Sequence, residues 1–178
     1  QGVTYCRTMV DADSTVGLLP IKAAMEVKKR YADRIRFEVG VQPLQGVLDP
    51  ASFKQYAEAC ELADYCGGLP SRDRPTPEKH LDVILKLAKK LGKPVDVHVD
   101  QENNPLENET ELLAEKTIEH GMQGRVFGVH AISLSAKEER EQDRIIEKIK
   151  EADLGIIICP SAALSMKQLP MTGPLHNS

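Results

Sequence analysis

Two histidines carry most of the chemistry that this sequence can offer. His98 lies near the end of the run Lys93-Pro94-Val95-Asp96-Val97-His98-Val99-Asp100-Gln101, and His130 closes Arg125-Val126-Phe127-Gly128-Val129-His130. Both runs read as β-strands, and α/β proteins place their chemistry at strand ends. Neutral imidazole is the commonest metal ligand. Two imidazoles one βα unit apart could converge on one divalent ion, at Zn–N distances of ~2.1 Å. The alternative is two unrelated histidines hydrogen-bonded within a core.

The neighbours of this pair have roles of their own. Alternation puts His98 on one face with Asp96 and Asp100, opposite Val95, Val97 and Val99; His130 shares its face with Val126 and Gly128. A carboxylate beside a metal-bound imidazole can orient the ring, which is the role open to Asp96 and Asp100. Asp100 could instead be a solvated loop carboxylate or form an Asx turn before Asn103-Asn104-Pro105. Gln101 does not titrate, so it can hold a substrate amide but cannot act as a general acid. Arg7 and Asp11 frame the end of the first strand-like run, where a structural ion pair is expected for Arg7. His80, near a helix start, is expected at the surface. His120 precedes Gly121 at a helix C-terminus, where positive charge is favoured. His176 falls in a terminal loop.

The elements that must position these residues alternate along the chain. Strands are predicted over Val3–Val10, Ile35–Val41, Ala63–Leu69, Pro94–Val99, Val126–Ala131 and Leu154–Cys159. Helices are predicted over Pro20–Tyr31, from Asp49 and Pro50, from Thr76 and Pro77 to Gly92, over Asn108–His120, and after a Ser135-x-x-Glu138 capping pattern. Pro160 stops the last strand, and the tail through Met171-Thr172-Gly173-Pro174 reads as loop. About six βα units in a row imply a parallel sheet with right-handed crossovers. An open doubly wound sheet and a barrel both satisfy that order. Polar residues on one strand face, such as Arg36, Glu38 and Gln42 opposite Phe37, Val39 and Val41, favour a barrel with a polar interior. No Gly-x-Gly-x-x-Gly follows the first strand, so the dinucleotide signature of an open sheet is missing. A complete (β/α)8 barrel takes ~250 residues, so this chain is expected to form part of one as a single domain.

Composition narrows the function classes. The net charge of −4 among 178 residues, with aromatics at 4% and no Trp, gives no basic or stacking surface for nucleic acid. The charged stretches Lys28-Lys29-Arg30 and Lys137–Arg144 read as solvated helix faces. No run reaches membrane-spanning length. Cys6, Cys60, Cys66 and Cys159 include no Cys-x-x-Cys pair and read as buried free thiols, which suits a cytoplasmic location.

Several stretches together resemble the amidohydrolase superfamily, and within it the cytosine-deaminase-like members. They are Gly2-Val3-Thr4 with Arg7-Thr8-Met9-Val10-Asp11, Pro43 with Gly46-Val47-Leu48, Gly67-Gly68-Leu69-Pro70, Asp96-Val97-His98-Val99-Asp100, and Gly121-Met122 with Arg125-Val126 and His130. The resemblance covers nearly the whole chain and implies strands two to seven of a (β/α)8 barrel. It implies a zinc or iron ion that activates water, with His98 as the fifth-strand ligand. It makes His130 the sixth-strand histidine, a metal ligand or a catalytic group beside the activated water. The family's first-strand His-x-His and eighth-strand Asp have no counterpart in these residues. An internal fragment, inactive alone, is therefore expected.

Two positions depart from the deaminase pattern. Gln101 stands where the deaminases carry a proton-shuttling Glu, three residues after His98. Leu44, with Gln45 beside it, stands where they carry a Gln that reads the pyrimidine edge. Leu44, Gln45 and Gln101 are thus expected to contact substrate. The resemblance then implies hydrolysis of a carbon–nitrogen bond, not a peptide bond, in another small cyclic amide, amidine or triazine-like compound. A non-catalytic α/β protein with structural histidines is the competing reading. A phosphate-binding barrel would need a Gly-rich loop after a late strand, and none is seen. Strands left without neighbours are expected to drive homo-oligomerisation through exposed barrel edges.

Overall fold

A computed structural model describes residues 2–102 and 104–165. Strands and helices alternate: β1 Tyr5–Asp11, α1 Leu19–Arg30, β2 Arg36–Gln42, α2 Pro50–Leu62, β3 Tyr65–Gly68, α3 Pro77–Leu91, β4 Val95–Val99, α4 Glu109–Glu119, β5 Val126–His130, α5 Glu139–Glu151, β6 Gly155–Ile157 and α6 Pro160–Ser165. The sheet order follows the chain from β1 to β6. β1 pairs parallel with β2, β2 with β3, and β5 with β6. Consecutive parallel strands joined by helices are the arrangement of a partial (β/α)8 barrel. The chain divides into two compact units, one ending at Asp96 and the other beginning at Val97.

In the first unit, helix ends are fixed by local chemistry. Asp49 accepts a hydrogen bond from the Ser52 amide at 2.8 Å, and Pro50 opens α2. At the other end of α2, the Lys93 ammonium donates to the carbonyls of Cys60, Glu61 and Ala63. These carbonyls lack partners within the helix, so the cation satisfies them and complements the helix dipole. α3 buries Leu81, Ile84, Leu85 and Ala88 completely and stops at Gly92, whose φ of +68° suits glycine. Each of the two leucines and the isoleucine contributes ~1.5–3 kcal/mol on burial, which together outweighs any cap in holding α3 to the sheet. Gly40 on β2 makes room for the Tyr65 ring: a Cβ there would lie 2.1 Å from it. The Tyr65 hydroxyl donates to the Thr8 carbonyl at 2.7 Å.

The second unit gathers Val97, Val99, Leu113, Ala114, Met122, Val126, Ile132 and Ile145 into its core. Lys137, expected on a solvated face, is buried, and its ammonium donates to the Pro105 carbonyl at 2.6 Å. The capping box expected at Ser135 does not form. Ser135 lies in a 3-10 turn over Ile132–Ala136 and its hydroxyl donates back to the Ile132 carbonyl, so it serves the turn and not α5. Thr76 likewise turns its hydroxyl to the Asp73 carbonyl and leaves α3 without a side-chain cap.

Other expectations are corrected. The last strand stops at Ile157, before Pro160, and Pro160 opens the short helix α6, where loop was expected. All four cysteines are free, but only Cys60 and Cys66 are buried; Cys6 and Cys159 are partly exposed. His80 is wholly buried and not at the surface. Spacing held the signal, because His80, Ile84 and Ala88 recur at i, i+4 and i+8 on the apolar face of α3. Met171–Pro174, His176 and Asn103 lie outside the described residues. Among the described residues no helix is long and apolar enough to cross a membrane.

Candidate functional site

The second unit brings His98 and His130 together. Their ring centroids are 5.1 Å apart, with the planes inclined at 72°. β4 ends one residue beyond His98, and β5 ends on His130 itself. His130 has φ +80° and Ala131 φ +53°, two successive left-handed residues without a glycine. Such backbone costs roughly 1–3 kcal/mol per residue and gathers at functional sites. Burial holds His98 down to about 4, helped by repulsion from His130, and burial also lowers His130. Both shifts favour the neutral ring, the form in which imidazole binds metals.

His130 supplies the test of fit for a metal. Its Nδ1 is buried and has no hydrogen-bond partner among the described residues. A buried polar atom without a partner calls for water or an ion. The pair therefore fits a divalent metal as two imidazole ligands. A tetrahedral site uses four donors. Among the described residues no third His, Cys, Asp or Glu forms a chelating group with these two.

The two aspartates of β4 and its end are engaged elsewhere. The Asp100 carboxylate is buried and accepts from the amides of Glu109 and Thr110 at 2.8 and 2.9 Å, at the start of α4. Burial raises its pKa against the pull of those donors. Gln101 follows it and is half-buried.

The first unit holds Arg7, Glu38 and Asp96, polar residues of β1, β2 and the start of β4. Arg7 donates to Asp96 at 2.9 Å, approaches Glu38 at 3.7 Å and stacks over the Tyr65 ring at 4.2 Å. The expected structural ion pair is thus present, with Asp96 as its main partner. Burial raises Asp96 to about 6 even though Arg7 pulls it down, and the Glu38 charge adds to the rise.

Two further groups occupy the loops after β1 and β2. Leu44 is exposed. The Gln45 side chain is held by three hydroxyls: its Oε1 accepts from Ser14 at 3.0 Å and Ser52 at 3.4 Å, and its Nε2 donates to Thr15 at 2.6 Å. One N–H of the amide is left to donate, so Gln45 offers a ligand a donor and not an acceptor. Sequence reading missed the pair formed by wholly buried His80 and partly buried Asp73. His80 Nε2 accepts from the Leu69 amide at 3.0 Å, so Nδ1 carries the proton and donates to Asp73 at 2.6 Å. Asp73 also accepts from the Val47 amide at 2.8 Å and lies against Gly46, whose φ is +80°. With both nitrogens used, His80 has nothing left for a metal or a substrate proton.

No family model matches the chain. Its relatives place it all the same. An uncharacterized protein of Haemophilus influenzae is 39% identical across 100% of this chain, which spans 66% of that protein. The N-isopropylammelide isopropyl amidohydrolase of Pseudomonas sp. is 29% identical over 91% of this chain and 41% of its own length. The crystal structure of Klebsiella pneumoniae 5-methylcytosine deaminase liganded with 5-fluorocytosine superposes with a TM-score of 0.84 at 26% identity, over 91% of this chain and 40% of that one. The chain is similar in sequence and fold to members of the amidohydrolase superfamily. It spans 66% of the Haemophilus influenzae relative and about 40% of the other two, and its fold corresponds to part of the amidohydrolase barrel.

Proposed function

We propose that this chain is the central part of a metal-dependent amidohydrolase that hydrolyses a carbon–nitrogen bond, other than a peptide bond, in a small cyclic amide or amidine. The observation that carries the reading is the neutral His98–His130 pair at the strand ends, with the buried His130 Nδ1 lacking a partner among the described residues. His98 would be a metal ligand, and His130 a second ligand or the group that orients the reacting water. A zinc or iron ion held there supplies Lewis-acid activation of the hydrolytic water. Gln101 and Gln45 bind substrate through their amides, and Leu44 offers it an apolar contact. Asp96, which alternation puts on the same face of β4 as His98, is held by Arg7 and would support the metal-binding imidazole indirectly. Relatives that act on an ammelide or are liganded with 5-fluorocytosine support a nitrogen-heterocycle substrate. Gln101 in place of an acid, and Leu44 in place of an amide, argue for a substrate other than cytosine.

Cobalt(II) titration of the chain tests the metal half of this reading. Saturable binding is expected, weakened at least tenfold in His98→Ala and His130→Ala. Equal or absent binding in all three proteins would sink it and favour structural histidines. We also propose a cytoplasmic homo-oligomer that associates through strand edges, where Tyr5 and Ile156 are exposed. A monomer by light scattering at high concentration would overturn that association.

A further inference from the structure

We propose that Asp100 is the positioning residue of the histidine pair, tying the end of β4, the start of α4 and the turn after β5 into one bracket. The inference rests on the proposed role of His98 and His130, and it gives Asp100 a task other than contact with an imidazole.

Asp100 stands one residue beyond β4 and is 1% exposed. Its side chain reaches forward: the two carboxylate oxygens take the amides of Glu109 and Thr110, the first two residues of α4. Asn108, at the capping position itself, makes no side-chain cap. Asp100 caps that helix from outside, where a carboxylate also complements the helix dipole. Its backbone reaches sideways: its carbonyl accepts from the Ile132 amide at 2.9 Å, and the preceding Val99 carbonyl accepts from Ala131 at 3.2 Å. His98 lies two residues before Asp100, and His130 two residues before Ile132. The bracket therefore closes immediately behind both rings.

The backbone explains why a bracket is needed. Asp100, His130 and Ala131 all have positive φ, at 48°, 80° and 53°. Non-glycine residues hold such angles only where surrounding bonds over-determine them. Here the Ala131 and Ile132 amides are held by the carbonyls of Val99, the last residue of β4, and of Asp100 beyond it, and Asp100 is held by α4. If the carboxylate lets go of α4, the turn that aims His130 loses its fixed support.

Asp100→Asn isolates this effect. Asparagine tolerates left-handed backbone as well as aspartate does. It offers one acceptor oxygen where two amides need one each, and its NH2 would face an N–H. In the full chain, Asp100→Asn is expected to keep its circular dichroism, to bind cobalt(II) ten- to a hundredfold more weakly, and to move the metal-free imidazole proton shifts of His98 and His130 towards free histidine. A residue that merely stabilised α4 would lower the melting temperature and leave both readouts unchanged, and that result overturns the proposal. If the parent chain binds no cobalt(II), the metal reading fails and the imidazole shifts alone decide: moved shifts keep the positioning role, unmoved shifts end it. If the variant does not fold, amide exchange in the parent chain decides. Ile132 exchanging together with Glu109 and Thr110 supports one bracket, and Ile132 exchanging independently of them overturns it.

Discussion

His80 and His130 are both buried, yet they occupy opposite chemical situations. In the first unit, His80 accepts a backbone amide at one nitrogen and donates to Asp73 at the other. In the second, His130 keeps a buried nitrogen without a partner among the described residues and stands on strained backbone beside a second imidazole. Burial alone would rank them alike. The inventory of donors and acceptors separates them: a satisfied histidine is part of the scaffold, and one with a spare lone pair is available for chemistry.

Replacing the satisfied histidine should have the largest effect. His80→Phe fills the space but leaves the Leu69 amide and the Asp73 carboxylate without their partner. An unsatisfied buried group costs about 1–3 kcal/mol, and more when charged, so a loss of about 3 kcal/mol is expected in urea denaturation. The damage should reach the loop after β2, because Asp73 also holds the Val47 amide. A loss under about 1 kcal/mol would show that the pair is not scaffold.

Acid should find the same pair next. Burial lowers the His80 pKa in spite of Asp73, and the hydrogen bonds from His80 and Val47 lower Asp73 against its own burial. Both folded values lie below the unfolded ones, so the unfolded chain binds more protons in each window. The His80 contribution is fully present above its unfolded pKa of about 6.5 and is lost as pH falls below it; the Asp73 contribution goes only below about 4. In metal-free protein, the urea midpoint of His80→Phe should fall less between pH 7 and pH 5 than that of the parent chain. Parallel pH curves would contradict the assignment.

His130 should respond in the reverse manner. Asparagine is among the residues that best tolerate φ near +80°, and losing the ring removes a polar atom without a partner among the described residues. His130→Asn should therefore change stability by less than about 1 kcal/mol, within the range of a tolerated substitution, while it weakens metal binding. If it destabilises as much as His80→Phe, the ring is structural and the contrast collapses.

What the sequence could announce follows from this contrast. The order of strands and helices was legible because apolar spacing and Pro or Gly boundaries are local signals: Asp49 with Pro50 opens α2, and Gly92 closes α3. His98 and His130 were legible because each ends a strand-like run. Bonds that close across long separations were not. Asp96 meets Arg7 from 89 residues away, and nothing local tells an aspartate that will face an arginine from one that will face an imidazole. Asp100 looked like a partner for a ring, but the first turn of α4 offers it two amides. Ser135 and Thr76 matched capping patterns, yet their hydroxyls found nearer carbonyls. At His80 polarity points outward and helical spacing points inward, and the partners Leu69 and Asp73 let the spacing win.

The surface of the second unit gives a third case and the smallest expected effect. Glu111 on α4 accepts from Arg144 and Lys148 on α5, with Arg144 Nη2 at 2.8 Å and Lys148 Nζ at 2.6 Å. The Arg144 and Lys148 bonds outweigh the modest desolvation of Glu111 and hold its carboxyl down to about 2. Its stability is thus present above the unfolded pKa of about 4.5 and is lost as pH falls towards 2. Water and salt compete here more than at Asp73, because Arg144 is 53% exposed and the Asp73 side chain 9%. Exposed pairs contribute little unless they are bidentate or networked, and Glu111 meets both conditions, so a small but measurable effect is expected. Glu111→Gln should lower the melting temperature less than either histidine variant, and ~1 M salt should abolish most of the difference from the parent. A salt-resistant loss as large as that of His80→Phe would mean that α4 and α5 are joined by a buried charge network, and that partner count without burial decides which groups hold this fold.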